Sequence, residues 1–395
     1  MRPTSVNVQI RDMSPPRELL NFDKMAETKT AVPTGTPNTI ELSMNSDNLV
    51  SESKPIEKEQ MRVEPINRPK RTTREPAYLK DFNIVTGDKT RFNIIPKMSV
   101  EVLLKNVFTG TGEGPHWDEA TQTLFFIDNL GKKVVSWNYR TKEVQMIQLE
   151  KVLGFIIPRA KGGHVIGYGK TISVIDWNSK NVSVITEVDK TVDTRMNDGK
   201  CDARGRLWFG TMGADRLPEM PEKEQGSLYC LYTDGTVKKH MEKVTISNGL
   251  AWSSDNKRMY YIDSIPGKVY GMDYDVETGT FTNQKVIVDF KALGTLGLPD
   301  GMTIDTEDKI WVACYDGAKV VRFDPDTGKQ LKCIDFPAKR ITSCCFGGPN
   351  YDELFVTCGR SGATEQELKD LPLSGSLFRV TGLGLKGSKP NIFEG

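Results

Sequence analysis

The sequence predicts an all-β protein, a six-bladed β-propeller carrying a disordered N-terminal extension, and three observations carry that prediction. From about Val100 the chain alternates short apolar and polar stretches between Gly, Asp, Asn and Lys turns, with no sustained 3.6-residue period. One such unit recurs at intervals of about 40 to 52 residues, beginning at Leu124, Val165, Leu207, Met259, Ile310 and Leu354. Four short strands at that period are the signature of propeller blades. Residues 1–96, in contrast, hold 10 of the 21 prolines and none of the seven cysteines or six tryptophans. Such a stretch buries too little apolar area to offset the entropy of ordering it.

The chain therefore divides into a polar tail, 1–97, and a propeller, 98–395. The tail carries 15 basic and 13 acidic residues up to position 96, so it is no strongly charged arm. Its cluster Arg68, Lys70, Arg71 and Arg74 reads as solvated linker, with nuclear import or docking as the sharper alternative, and the tail's protein partners are unknown from the sequence. Met98 stands where ordered pattern begins and is a candidate alternative start. The first unit sets the syntax: Leu124-Phe-Phe-Ile-Asp, a turn at Gly131, Val134-Val-Ser-Trp-Asn-Tyr, a turn at Thr141-Lys, then Val144-Gln-Met-Ile. Turns at Glu277-Thr-Gly and Pro325-Asp-Thr-Gly fall at the same point of two later units, as hairpins between third and fourth strands should. The tryptophans are spread over the units and are expected to fill the wedges between blades.

Composition removes several functions. With 53 basic against 52 acidic residues, no field is available to gather nucleic acid or an anionic membrane. No stretch approaches the roughly 20 apolar residues of a membrane span, and the first 30 residues lack a secretory apolar run. Seven cysteines with no Cys-x-x-Cys spacing argue for buried free thiols and a cytoplasmic protein. No Gly-x-Ser-x-Gly elbow offers a serine nucleophile.

A propeller gathers the residues that open its innermost strands around one end of the central channel. Those stretches are Gly112-Glu-Gly-Pro, Arg195-Met-Asn-Asp-Gly-Lys, Ser247-Asn-Gly-Leu and Pro299-Asp-Gly-Met. Alone, each Asn-Gly or Asp-Gly is a turn; what calls for explanation is the recurrence of an oxygen-bearing side chain before glycine, where the glycine would let the backbone turn sharply. Glu113, Asn248 and Asp300 form an all-oxygen set suited to one hard divalent cation, with calcium, magnesium or manganese preferred and zinc the alternative. Only three histidines are present, with no His-x-x-x-His pair, against a nitrogen-rich zinc site. Arg195 and Asn197 offer donors to a polar ligand, Asp198 and Asp305 read as loop braces, and Asp215 lies in a charged insertion, 213–225, that could act as a flap.

These stretches, with Phe209-Gly-Thr-Met, Tyr261-Ile-Asp-Ser and Thr342-Ser-Cys-Cys-Phe-Gly-Gly, resemble the family of senescence marker protein or regucalcin, which includes gluconolactonases and insect luciferin-regenerating enzymes. The likeness covers about 98–395 without large gaps. It implies a six-bladed propeller with one divalent cation in the channel and hydrolysis of sugar lactones. It further implies Glu113, Asn248 and Asp300 as ligands, Asp300 also as base beside a metal-activated water, and Arg195, Asn197 and Asp215 as substrate contacts. The family pattern has glutamate where Asp215 stands, so a shorter carboxylate there alters which lactone fits. The alternative reading is a non-catalytic calcium-binding regulatory protein, since some family members are described chiefly as handling calcium.

Overall fold

The computed structural model describes residues 93–395 apart from 218, 219 and 295, together with the backbone of Ser5–Val6, Ile10–Asp12 and Phe82–Val85. Side chains are described from Lys97 onward, except 215–220 and 295. The expectation of a disordered tail, and with it the Arg68 cluster, otherwise falls outside the described residues.

Six four-stranded antiparallel sheets follow one another along the chain and form the six blades of the propeller. Their innermost strands are Gly112–Asp118, Leu153–Pro158, Thr194–Cys201, Ser247–Trp252, Leu298–Ile304 and Arg340–Gly347. The recurring unit of the sequence is thus shifted by one strand. It begins at the second strand of each blade, because that strand is apolar on both faces: Thr123–Asp128 and Glu353–Gly359 are buried at every residue. Outermost strands face water and alternate only weakly, as in Val144–Gln148, where a single residue is buried.

The ring closes by joining its ends. Blade six takes its fourth strand from the start of the domain, Ser99–Leu104, which pairs antiparallel with Leu377–Thr381. Ser99 Oγ and Thr381 Oγ1 lie 2.9 Å apart across this seam, and Arg379 Nη2 donates to Glu101 at 2.7 Å. Two shorter strands extend the outer edges: Ser5–Val6 pairs with Val100 and Glu101, and Ile10–Asp12 pairs with Lys332 to Ile334 of blade five.

Apolar burial is partitioned into six clusters, each between two neighbouring blades. Five tryptophans, Trp117, Trp137, Trp208, Trp252 and Trp311, are buried there, and Trp117 stacks on Phe355 across the seam of blades one and six. The predicted third-to-fourth hairpins are alike in four blades. Lys142, Lys180, Gly279 and Gly328 each donate a backbone N–H four residues back, to Asn138, Asp176, Asp275 and Asp324, and each has positive φ. All seven cysteines are free and buried. Among the described residues no helix is long and apolar enough to cross a membrane.

Candidate functional site

In every blade the ladder between first and second strands slips register once: between Glu113 and His116, Leu153 and Ile156, Met196 and Gly199, Asn248 and Leu250, Pro299 and Met302, and Ile341 and Ser343. A bulge leaves one residue out of the ladder and re-aims its side chain. Four of these bulges coincide with the stretches singled out in the sequence.

Gly114, after Glu113, has the positive φ (+54°) expected of a sharp turn, but the glycines after Asp198, Asn248 and Asp300 do a different job. Gly199, Gly249 and Gly301 have ordinary negative φ, and what they allow is close approach. A Cβ on Gly199 would stand 2.6 Å from the Phe155 ring, one on Gly249 2.6 Å from Met302 Cβ, and one on Gly301 2.1 Å from Ser343 Oγ. Each contact is with a neighbouring blade, so glycine is required where inner strands converge on the axis.

The bulges deliver Glu113, Arg195, Asn197, Asn248 and Asp300 to a single cavity of about 370 Å³. Asn248 and Asp300 are buried, 4% and 7% exposed. The backbone at Asp215 runs in a short hairpin with Met220–Pro221, and Pro221 lines the cavity; the Asp215 side chain lies outside the described residues. Asp305 is a brace, as expected: it accepts from the N–H of Glu307 and Lys309, from Trp311 and from Arg322. Asp198 accepts from Gly199 N at 2.7 Å but also stands beside the acidic pair.

Amide hydrogen bonds fix the donor oxygens. Asn197 donates through Nδ2 to Ser247 O at 2.8 Å and to Asn248 Oδ1 at 3.2 Å, while its own Oδ1 accepts from Arg195 Nη1 at 3.1 Å. Asn248 Nδ2 donates to Ser264 Oγ at 2.8 Å, which leaves Oδ1 with the remaining acceptor capacity.

Burial pushes the Glu113 carboxyl well above the usual carboxylate range, and the neighbouring charges of Asp300 and Asp198 push it further; Gly114 N–H and Arg195 oppose this. Asp300 is raised for the same reasons, burial first and then Asp198, with hydrogen bonds from Gly301 N and Asn248 opposing. Two buried carboxylates facing one cavity cannot both ionise cheaply without a counter-charge. A dication would supply that charge, and a donor set of two carboxylates and one amide oxygen is of the hard type that calcium, magnesium or manganese takes, so these residue types suit such an ion. Among the described residues no group of three His, Cys, Asp or Glu side chains forms a metal cluster, and the third donor here is an amide.

The sequence reading missed Asn129 and Ser264, which also line the cavity. Asn129 Oδ1 is buried without a hydrogen-bond partner among the described residues. The signal was present in Ile127-Asp-Asn and Ile262-Asp-Ser, which end the second strands of blades one and four. There Asp128 and Asp263 accept N–H groups of the chain entering the inner strand, Gly110 and Ile246 among them, and so place the following residue at the cavity.

Fold and cavity together define a class: six-bladed propellers with an acidic, amide-bearing pocket at one end of the axis. Within it, the chain belongs to the family described as SMP-30/Gluconolactonase/LRE-like region, which it matches over residues 111–360. Regucalcin of Xenopus laevis is 45% identical over 285 residues, covering 72% of this chain and 95% of that one. A solved luciferin-regenerating enzyme is 36% identical, with TM-score 0.69 and coverage of 75% and 99%. The structure of regucalcin from Agrobacterium tumefaciens, described as a calcium-binding protein, is 25% identical, with TM-score 0.68 and coverage of 74% and 96%.

Proposed function

We propose that the protein is a divalent-metal-dependent lactonase that opens sugar lactones at the Glu113 cavity. The observation that carries this reading is the pairing of two buried carboxylates with an amide oxygen in one pocket, alongside a guanidinium. Glu113, Asn248 and Asp300 would hold one divalent cation, calcium, zinc, manganese or magnesium. When bound, it supplies Lewis acidity toward a lactone carbonyl and the counter-charge the carboxylates lack.

The chain's own groups supply the rest. Asp300 takes the proton released as water adds to the carbonyl carbon and returns it to the ring oxygen as the C–O bond of the lactone breaks, leaving the open hydroxy acid. Arg195 directs its charge toward the sugar hydroxyls. Asn197, whose amide hydrogens are both engaged, positions Arg195 and Asn248 and offers the ligand only the remaining lone pair of Oδ1. The proposed sugar contact of Asp215 rests on its position in the insertion that reaches the cavity at Pro221. Free, buried cysteines support a reducing, cytoplasmic compartment.

The test is acid release from gluconolactone and related lactones by purified protein with added calcium, manganese, magnesium or zinc. Metal-dependent turnover that falls by at least about 10³ in Asp300→Ala, with the circular dichroism unchanged, supports the proposal. Metal binding with no turnover on a broad lactone panel would overturn it in favour of a non-catalytic calcium-binding protein, the reading that the calcium-binding description of the Agrobacterium relative favours.

A further inference from the structure

The Glu113 cavity is acidic at its floor and apolar along one side of its mouth. In extended chain, residues two apart face the same way, so Leu298 shares the face of Asp300 and Ile246 that of Asn248, each roughly 7 Å nearer the mouth at about 3.3 Å per residue. Tyr315 lies opposite Leu298 in the ladder of blade five. Ile265 follows Ser264, whose backbone N–H donates to Ile246 O at 3.1 Å in blade four. These four side chains line the cavity from two adjacent blades, and Leu130, 40% exposed, adds a fifth from blade one.

The core does not account for them. None of Leu130, Ile246, Ile265, Leu298 and Tyr315 is fully buried, and none packs into the six interblade clusters of the described residues. Their apolar surface is left to the cavity and its contents. Blades one and six line the same cavity with groups of another kind. Two residues before Glu113 the chain has Thr111, and Asn129 and Ser361 stand at the wall with it. A ring hydroxylated at every carbon finds hydrogen-bonding groups on that side, but against Ile246, Ile265 and Leu298 its hydroxyls would be buried unpaired. A hydrocarbon substituent gains at the same wall.

We infer that the ligand of this site is a lactone that carries an alkyl or aryl arm, with its ring over the acidic floor and the arm along Ile246, Ile265, Leu298 and Tyr315. This rests on the lactonase reading of the same cavity and narrows its substrate class. A volume of about 370 Å³ falls among pockets of roughly 300–1,000 Å³ that enclose such ligands between apolar walls and a few placed polar groups.

Initial rates and calorimetric affinities are measured on the full chain with manganese, for γ-butyrolactone, its γ-methyl, γ-propyl and γ-hexyl derivatives, and gluconolactone. The expected result is a kcat/KM that rises about fourfold per added methylene until the arm outgrows the wall. The ratio of the γ-hexyl to the unsubstituted lactone should fall about tenfold in Ile265→Ser and about threefold in Leu130→Ser. Ile265 lies in a turn and Leu130 at the surface, and the length series on the native chain decides the matter without either variant. If lactones are opened but neither rate nor affinity rises with arm length, or if gluconolactone is opened fastest, the inference is overturned and the lactonase reading stands. If no lactone is opened, the lactonase reading falls; affinity that rises with arm length then supports the apolar wall, and flat affinity overturns it.

Discussion

Asn197 Nδ2 lies 3.2 Å from Asn248 Oδ1, so an amide of blade three holds the side chain of blade four that hydrogen-bonds Asp300. The contact makes the donor set an interblade construction. Asn197 is also anchored on Ser247 O and Asn248 on Ser264 Oγ, and Asn197 acts on the site through Asn248 and Arg195. Asn197→Ala should weaken manganese binding by about 10- to 100-fold, the usual cost of losing a partner that orients a ligand. Titration calorimetry measures it, and an unchanged affinity would remove Asn197 from that role.

The acidic pair predicts an inverse effect on stability. Without metal, Glu113 and Asp300 destabilise each other, so Asp300→Asn should raise the melting temperature of metal-free protein, and it should abolish the rise expected of the native chain on adding calcium or manganese. Thermal melts with and without chelator test both halves. A variant less stable than the native protein under chelation would contradict the electrostatic account.

Close approach at the axis predicts steric sensitivity. In Gly301→Ala the new methyl meets Ser343 Oγ at 2.1 Å and Ser343 Cα at 2.8 Å. The expected loss is about 1–3 kcal/mol in urea unfolding. Gly162→Ala, where nothing lies within 4 Å but φ is +88°, separates backbone strain from packing.

The buried Asp305 carboxylate accepts from Arg322 Nε at 2.7 Å and Trp311 Nε1 at 2.8 Å, and Asp202 repeats this arrangement with Arg206 and Trp208 in blade three. Removing Asp305 leaves the buried Arg322 guanidinium with only the exposed Glu307 carboxylate as partner, at 2.7 Å, and Trp311 Nε1 without its acceptor. Asp305→Ala should cost about 3–5 kcal/mol, and Asp305→Ala combined with Arg322→Met should recover part of it.

His164 accepts from Trp177 Nε1 at 3.0 Å through Nδ1, and burial lowers its pKa from 6.5 to about 4. The unfolded chain therefore binds a proton that the folded chain refuses. The neutral histidine costs nothing above about pH 6.5, and stability is lost as pH falls from there toward about 4, with a slope of up to about 1.4 kcal/mol per pH unit. His164→Phe should flatten the pH dependence of the urea midpoint in that window by about one proton. An unchanged slope would show that other groups set it.

Much of the architecture was legible because it is local. Alternation, turn residues and the 40- to 52-residue recurrence sufficed for strands, blades and their number, and the oxygen-before-glycine pattern brought out three residues, Glu113, Asn248 and Asp300, that meet in one cavity with Arg195 and Asn197. What was not legible is non-local. Nothing near Ser99–Leu104 shows that its partner is Leu377–Thr381, and the inner strands, irregular at their bulges, were passed over as lead-ins to the second strands. The glycine role was misassigned because a missing Cβ serves a sharp turn and a close neighbour equally, and only the position of Ser343 or Phe155 distinguishes them. Asn129 escaped because its placement depends on where Asp128 sends its hydrogen bonds.

The seam of blade six has a consequence for how the molecule is made. Its two halves, joined at Ser99 and Thr381, are 282 positions apart, so the strand that completes the last sheet is among the first the ribosome releases. At roughly 5 to 20 residues per second, that strand waits on the order of 15 to 55 seconds for its partner. For that interval five sheets can assemble in sequence as an open arc, with the apolar flanks of blades one and five uncovered, and the nascent protein is most exposed to aggregation just before it is finished.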